Sequence, residues 1–278
     1  MPEGTERRAG WFAVVPSPSC RGTVVVAVAA LVAMFVLVGQ PPFAGGARTR
    51  SVVRRSDAGR PVDAHLFEPG ACVAYPPTTG DRHLRVFLDA GHGGLDPGGI
   101  GQDQNGNTVY EANETLPVEL DTMALLRARG FTVVVSRTGN ETVSRLQSDD
   151  LDQGLFTAQG VHNDVAARDA CANMSKANVL VGIYFDAGYS TYDAGCVTAY
   201  DSVRPFSSQN LKLATLLQND VLGAMNAQGW GIPNLGVPDD SQLGGPPLDK
   251  SAAEYGHLLL LGPADPGWFP RRAGCPGH

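Results

Sequence analysis

Apolar segments of two lengths alternate along the chain from residue 84 onward, and this alternation restricts the fold more than any other feature. Short runs rich in β-branched residues predict strands, and longer segments with apolar residues at helical spacing predict helices. The predicted strands are 84–89, 131–136, 179–185, 196–200 and 258–261, and the predicted helices are 113–129, 163–175 and 207–228. Strands that alternate with helices favour an α/β fold with a largely parallel twisted sheet and helices on both faces.

An uncharged apolar segment precedes this pattern: residues 23–39 read TVVVAVAALVAMFVLVG. Its 17 residues are close to the lower limit of a membrane span and exceed the usual apolar region of a signal peptide. We therefore expect a transmembrane signal anchor, with a cleaved signal peptide as the second interpretation and a buried core helix as the third. The expected organisation is a short cytoplasmic tail at 1–22, the anchor at 23–39, a linker rich in Pro, Gly and Arg at 40–80, and the main domain at 81–278.

The charge of the chain argues against nucleic acid as a partner. The sequence has 28 acidic and 21 basic residues, and the acidic excess lies beyond residue 60. No basic stripe interleaved with aromatic residues is present, so we expect no nucleic-acid surface. The sequence gives no oligomeric state.

The cysteines indicate the compartment in which the domain resides. Four of the five follow the apolar segment: Cys72, Cys171, Cys196 and Cys275. An even number fits an oxidising compartment with up to two disulfides, although the sequence leaves their pairing open. The alternative is four reduced thiols in a cytosolic domain. We expect an extracytoplasmic domain, anchored in the membrane or secreted if the segment is cleaved.

The chemistry is concentrated in residues 88–101, which read LDAGHGGLDPGGIG and place His92 among glycines just after a predicted strand. In α/β sheets, ligands bind beyond the carboxyl ends of the strands, and glycine lets the backbone approach them closely. Glu111 follows 19 residues later, just before a predicted helix. The pattern predicts that His92 and Glu111 share a metal ion. The alternatives are a structural histidine in a turn and a glutamate that only stabilises a helix N-terminus.

Several sequence blocks resemble those of the family 3 N-acetylmuramoyl-L-alanine amidases, which are zinc-dependent cell-wall hydrolases. The blocks are LDAGHGGLDPGG at 88–99, YEAN at 110–113, SRT at 136–138, RDACAN at 168–173, VLVGIYFDAG at 179–188 and AGCVTAY at 194–200. The resemblance covers about residues 84–262 and implies an amidase/phosphorylase-like sandwich. It also implies a zinc ion held by two His and one Glu, and cleavage of the amide between N-acetylmuramic acid and L-alanine in peptidoglycan.

The third metal ligand departs from the family pattern. Tyr184 stands where the family has its second zinc-binding histidine. Asp186 lies two residues further on, and alternate residues of a strand face the same way. We therefore expect Asp186 to complete a zinc site with His92 and Glu111, with Tyr184 as the alternative ligand.

The catalytic base also departs from the pattern, because a leucine of the run at 258–261, at Leu260, stands where the family has its catalytic Glu. Glu254, His257 and Asp265 flank this run and are the candidates for a replacement base. His83 and His162 lie outside the family blocks, and we expect both at the surface.

Two hypotheses follow from the resemblance: a divergent zinc amidase, or a catalytically inactive member that binds peptidoglycan or regulates cell-wall synthesis. Both have peptidoglycan as the partner and the membrane as a contact of the N-terminal segment. A third hypothesis is an unrelated α/β domain whose glycine-rich turn binds an anion. It is disfavoured because the turn does not run directly into a helix N-terminus.

Overall fold

Three helices and a central eight-stranded sheet form the part of the chain that the computed structural model describes. The described residues are 10–13, 58–103, 105–185, 195–243, 253–254 and 257–261. The helices are α1 (Glu111–Ala128), α2 (Ala158–Met174) and α3 (Ser207–Ala227). This mixed α/β architecture agrees with the predicted fold class.

The described residues contain fourteen strands, most of them short. In chain order they are β1 (Gly10–Ala13), β2 (Arg60–Pro61), β3 (Ala71–Tyr75), β4 (Arg85–Ala90), β5 (Ile100–Gln102), β6 (Thr108–Tyr110), β7 (Thr132–Arg137), β8 (Leu151–Asp152), β9 (Leu155–Phe156), β10 (Val179–Tyr184), β11 (Cys196–Ala199), β12 (Asn234–Gly236), β13 (Ala253–Glu254) and β14 (His257–Leu258).

The central sheet has the strand order β12-β11-β1-β10-β4-β7-β3-β2. Its middle strands β10, β4 and β7 are parallel, as are β11 and β12. Antiparallel pairs join β1 to β10, β3 to β7 and β2 to β3. The sheet is therefore parallel where the site lies, and the carboxyl ends of β4 and β10 meet at one edge.

Alternation along the middle strands divides the core into two layers, because successive side chains of a strand point to opposite faces. Phe87, Val134 and Leu180 pack with Cys171 of α2 in one cluster. The neighbouring strand residues form the second cluster, with Leu126 of α1 and Leu217 of α3. Helix α2 thus covers one face, and α1 and α3 cover the other.

Helix α2 begins earlier than the sequence predicted. Thr157 caps it, with its hydroxyl accepting a 3.0 Å hydrogen bond from the backbone N–H of Gly160. A threonine at this position satisfies one of the free N–H groups of a first helical turn. Asn163, the predicted cap, lies inside the helix, and its amide donates to Asp150 instead.

Three further segments differ from what the sequence predicted. The expected linker at 40–80 includes β2 and β3, and Ala71–Val73 of β3 is buried. The expected strand at 258–261 is one short strand followed by a 3-10 helix, Leu259–Leu261. Gly10–Ala13, expected in a cytoplasmic tail, pairs with β10 and β11.

The apolar segment at 23–39 lies outside the described residues. Among the described helices, none combines the length and hydropathy required to span a bilayer. The membrane anchor stays a sequence-based expectation.

A disulfide between Cys72 and Cys171 ties β3 to α2 across the core. Both residues are buried, and 99 positions of sequence separate them. Cys196 is a buried free thiol, and Cys275 lies outside the described residues. This pair is one of the pairings that the sequence left open.

Removing the disulfide is expected to destabilise the domain. A cross-link that closes a loop of this length restricts the unfolded chain, and its loss costs about 2–5 kcal/mol. Urea unfolding of the Cys72→Ala/Cys171→Ala variant should show a decrease of this size in the free energy of unfolding. A reducing agent should lower the unfolding midpoint of the wild type and leave that of the double variant unchanged. Equal stability of the two proteins would contradict the role assigned to the bond.

A buried carboxylate links α1 to the ends of β4 and β7. Glu119 is fully buried, and its Oε1 accepts hydrogen bonds from the backbone N–H groups of Ala90 (3.2 Å) and Ser136 (3.0 Å). Its Oε2 has no hydrogen-bond partner. Burial and the nearby negative charge of Asp89 raise the pKa of Glu119 to about 8. The folded protein therefore holds a proton on Glu119 at neutral pH.

This proton gives the stability a testable pH dependence. The folded pKa is above the unfolded value of 4.5, so the contribution of Glu119 is complete below that value and is lost as the pH rises through about 8. The free energy of unfolding of the wild type should fall between pH 5 and pH 9 relative to Glu119→Gln, by a few kcal/mol at most, since each pKa unit is worth about 1.4 kcal/mol. Asp121→Asn, exposed on the same helix, is the control. Parallel pH profiles for wild type and Glu119→Gln would contradict the assignment.

Candidate active site

The loop after β4 takes a sharp turn at His92. His92 has a left-handed backbone with φ of 63°, which is uncommon for a residue with a side chain. Gly93 and Gly94 follow with φ of 127° and 61°. A Cβ atom at Gly98 would lie 2.6 Å from the His92 ring and 2.8 Å from Cβ of Glu111. Glycine at 98 therefore lets the loop close over both side chains.

The structure brings His92 and Glu111 together at the edge of the sheet. Nε2 of His92 lies 3.2 Å from Oε1 of Glu111, and Nδ1 lies 2.7 Å from Oδ2 of Asp96. The His92 and Asp96 side chains are 22% and 30% exposed, whereas that of Glu111 is 2% exposed. The imidazole is thus accessible from solvent and held between two carboxylates.

Backbone N–H groups fix the carboxylate of Glu111. Gly99 donates to Oε2 at 2.8 Å, and Phe185, just past β10, donates to Oε1 at 2.7 Å. These bonds join the glycine-rich loop and the end of β10 to the first residue of α1. A carboxylate at this position also interacts favourably with the helix dipole.

The three ionisable groups shift one another's protonation. Burial alone lowers the pKa of His92, but its hydrogen bonds with Asp96 and Glu111 outweigh burial and raise that pKa to about 10. Burial alone raises the pKa of both carboxyls, and the hydrogen bond of each with His92 outweighs it, so that both pKa values are lowered. The group is therefore an imidazolium between two carboxylates, and a metal at Nε2 would have to displace a proton.

Tyr184, at the end of β10, turns inward beside His92. Its hydroxyl donates a 3.0 Å hydrogen bond to Oδ2 of Asp89, and its ring makes an edge contact with His92 at 5.6 Å between centroids. Burial and the negative charge of Asp89 raise the pKa of the phenol well above its usual value. A Cβ at Gly91 would lie 2.4 Å from the tyrosine ring, so glycine is needed there for the ring to fit.

Two buried arginines hold the loop by its carbonyl groups. Arg168 of α2 donates to the carboxylate of Asp89 and to the carbonyls of Ala90 and His92, each at 2.8 Å. Arg137, at the end of β7, donates to the carbonyl of Gly91 and, at 2.6 Å, to that of Ala112. Both arginines lie in blocks that resemble the family, SRT and RDACAN, but the sequence alone does not indicate these contacts.

Asp96 and Asp89 were also missed as site residues. Both lie within the block LDAGHGGLD, and Asp96 is four residues after His92. A carboxylate so close to a histidine in a glycine-rich loop is a usable signal for an orienting partner. The contact of Tyr184 with Asp89 joins residues 95 positions apart, and no local pattern indicates it.

The other candidate residues are not brought to His92 and Glu111 by any contact of the described residues. Asp186 and Asp265 lie outside the described residues, and Glu254 lies in β13. His257 lies in β14, and its Nδ1 is 2.8 Å from Oδ1 of Asp240. No hydrogen bond or ion pair among the described residues connects His257 with His92.

Leu260, which stands where the resemblance predicts the catalytic Glu, is 5% exposed and packs in the core cluster on the α2 side. The two remaining histidines differ from each other. His83 is exposed, as expected, whereas His162 of α2 is buried, so the expectation of a surface position was wrong for His162.

Two of the donors that a family zinc site requires have suitable geometry. Asp96 on Nδ1 fixes the His92 ring so that Nε2 faces Glu111, as carboxylates commonly do for metal-binding histidines. Tyr184, the alternative third ligand, does not fit, because its hydroxyl is directed to Asp89, and Asp186 lies outside the described residues. The described residues thus supply two donors where a catalytic zinc takes three.

Comparison with known proteins agrees with the sequence motifs. A family model described as N-acetylmuramoyl-L-alanine amidase matches residues 86–237, which is more than half of the chain. Neither the curated proteins nor the solved structures gave a match. The matched region contains the loop of His92, the carboxylate of Glu111 and both buried arginines. The chain therefore belongs to the N-acetylmuramoyl-L-alanine amidase family, whose substrate is peptidoglycan.

Proposed function

We propose that this chain binds peptidoglycan at the loop of His92 and does not hydrolyse the muramoyl–L-alanine amide by the usual route of its family. The observation that carries the proposal is the 3.0 Å hydrogen bond from Tyr184 to Asp89. This bond directs the Tyr184 hydroxyl toward the buried Asp89. A hydroxyl in that direction cannot serve as the third ligand of a zinc ion bound at His92.

The position of the catalytic base supports the same conclusion. Leu260 is packed among buried apolar residues that include Phe87 and Leu180. An aliphatic side chain cannot accept a proton from an attacking water. The absence of a general base alone reduces a hydrolytic rate by about 10²–10⁴-fold.

The surface around the site is suited to holding a glycopeptide. Ile100 and Tyr110 pair across the β5–β6 hairpin and are 57% and 41% exposed, and Leu95 in the loop of His92 is 42% exposed. Aromatic and aliphatic faces of this kind pack against the apolar faces of sugars, and the polar edge of tyrosine remains hydrated. The partly exposed His92 and Asp96 add hydrogen-bonding groups to the same loop region.

Export of the domain is part of the proposal. A buried disulfide between Cys72 and Cys171 is typical of proteins that fold in an oxidising compartment. Peptidoglycan also lies outside the cytoplasm. The pairing of Gly10–Ala13 with the sheet argues against a tail on the opposite side of a membrane from the domain, so export rests here on the disulfide.

A zinc-dependent amidase is the second candidate, and the orientation of His92 favours it. Asp96 and Glu111 hold the imidazole as a metal ligand would be held, and Glu111 starts α1 as in the family pattern. In this alternative Asp186 supplies the third ligand, and Glu254, His257 or Asp265 acts as the base. The products separate the two candidates, since only an amidase releases stem peptides.

Loss of the apolar surface is expected to weaken binding to peptidoglycan. In a cosedimentation assay with purified peptidoglycan, the Ile100→Ala/Tyr110→Ala variant of the full chain should bind with about tenfold lower affinity. Removing exposed apolar contacts of this size costs about 1–2 kcal/mol. Leu155→Ala removes a 69% exposed leucine from the separate β8–β9 hairpin and is the matched control. Equal binding by the two variants would exclude this surface as the contact.

The identity of residue 184 is expected to control zinc affinity. Tyr184→His should bind zinc about 10–100-fold more tightly than the wild type, the range over which groups around a metal alter its affinity. Tyr184→Phe removes only the hydroxyl and should gain nothing. Zinc titration of the full chain measures the affinities. Release of stem peptides from peptidoglycan by the wild type, abolished in His92→Ala, would overturn the proposal in favour of the amidase.

A further inference from the structure

A second group of metal-binding side chains lies beyond β11, away from the loop of His92. Asp201 follows β11, Asp239 and Asp240 lie at the start of the 3-10 helix Asp240–Gln242, and His257 is in β14. Each of the four residues offers one oxygen or nitrogen atom, and these atoms all lie within 4.8 Å of one another.

One oxygen of this group is buried and has no partner. Asp201 is 1% exposed, and its Oδ1 accepts a 2.7 Å hydrogen bond from the N–H of Val203. Its Oδ2 makes no hydrogen bond and has no accessible surface. A buried carboxylate oxygen without a donor is costly, and such atoms in native proteins usually bind an ion or water.

The charge of the group is also unbalanced. His257 lies 2.8 Å from Oδ1 of Asp240 and 3.9 Å from Oδ1 of Asp201, and Asp239 is the third carboxylate of the group, so three carboxylates accompany one imidazole. Among the described residues, no Lys or Arg forms an ion pair with Asp201, Asp239 or Asp240. Even with His257 protonated, the group has a net negative charge, and two of its carboxylates are fully buried.

We propose that Asp201, Asp239, Asp240 and His257 bind a divalent transition-metal ion, Zn²⁺ or Mn²⁺. Carboxylates alone suit Mg²⁺, Ca²⁺ and Mn²⁺, whereas an imidazole nitrogen favours transition metals. Donors on one such ion, with bonds of about 2.1 Å, lie about 3–4 Å apart, so the four groups need to close by only about an ångström.

The ion would hold the C-terminal part of the described chain in place. Asp240 also accepts a 2.7 Å hydrogen bond from the backbone of Leu258, and the next residues enter the core as Leu260 and Leu261. The ligands come from the end of β11, the segment after β12, and β14. The site is therefore a structural clamp that joins three elements of the fold, and it is independent of peptidoglycan binding.

The experiment uses the full chain with His92→Ala, so that the family site does not contribute. After treatment with a chelator, separate samples of the protein are dialysed against Zn²⁺, Mn²⁺, Ca²⁺ or Mg²⁺ alone, and bound metal is measured by mass spectrometry. We expect one ion per chain and a rise in the thermal unfolding midpoint as metal is added. Both should be lost in Asp201→Asn and in His257→Gln, and both should be retained in Asp152→Asn, which removes an exposed acid elsewhere.

The two ligand variants keep the test decisive. Asn at 201 retains the acceptor for Val203, and the partly exposed His257 can be replaced without opening the core, so at least one should fold. Metal binding that both variants retain, or no binding in the parent protein, would overturn the proposal. Binding of Ca²⁺ or Mg²⁺ in place of both transition metals would overturn the assignment of the ion.

Discussion

The buried guanidinium of Arg168 is the group on which the geometry of the site depends. It bridges Asp89 at the end of β4, Asp164 on its own helix, and the carbonyls of Ala90 and His92. A buried charge is tolerated only when its hydrogen-bonding groups are satisfied, and here each partner belongs to the loop or to its supports. The left-handed turn at His92 is consequently fixed by the core beneath it.

Asp89 connects the guanidinium of Arg168 to Tyr184. One of its oxygens binds Arg168, and the other accepts from Tyr184. A tyrosine at 184 therefore satisfies a buried carboxylate that would otherwise lack its second partner, at a position where the resemblance predicts a metal ligand. Under the proposed function, the support of the site is retained while the predicted reacting groups are changed, which is the pattern expected when a fold is kept for recognition.

Elements with a strong local signal were predictable from the sequence. The apolar runs of β4, β7 and β10 and the long pattern of α3 gave bounds within about two residues, and parallel strands placed His92 and Glu111 at the same edge. Elements whose conformation depends on tertiary contacts were not predictable in this way. Strand β3 reads ACVAY and was assigned to a linker, because its burial depends on pairing with β7 and on the disulfide.

The candidate site was predictable to the same degree. The spacing of glycines around His92 indicated a ligand-binding turn, whereas the partners of the histidine required coordinates. Leu259–Leu261 has the composition of a strand, yet it forms a 3-10 helix from which Leu260 and Leu261 enter the core on the α2 side. His162 was expected in solvent because a histidine alone carries no signal of burial. It is buried because it lies on the inner face of α2.

The bond between Cys72 and Cys171 lies less than one helical turn from Arg168 on α2. A helix turn is stiff, so the covalent link restrains the arginine as well as the cysteine. Newly made chain in a reducing cytoplasm lacks this restraint, and its glycine-rich loop is supported by packing and hydrogen bonds alone. If the domain is exported as proposed, oxidation after translocation would restrain the loop only outside the cytoplasm, which separates synthesis of the protein in space from the maturation of its site.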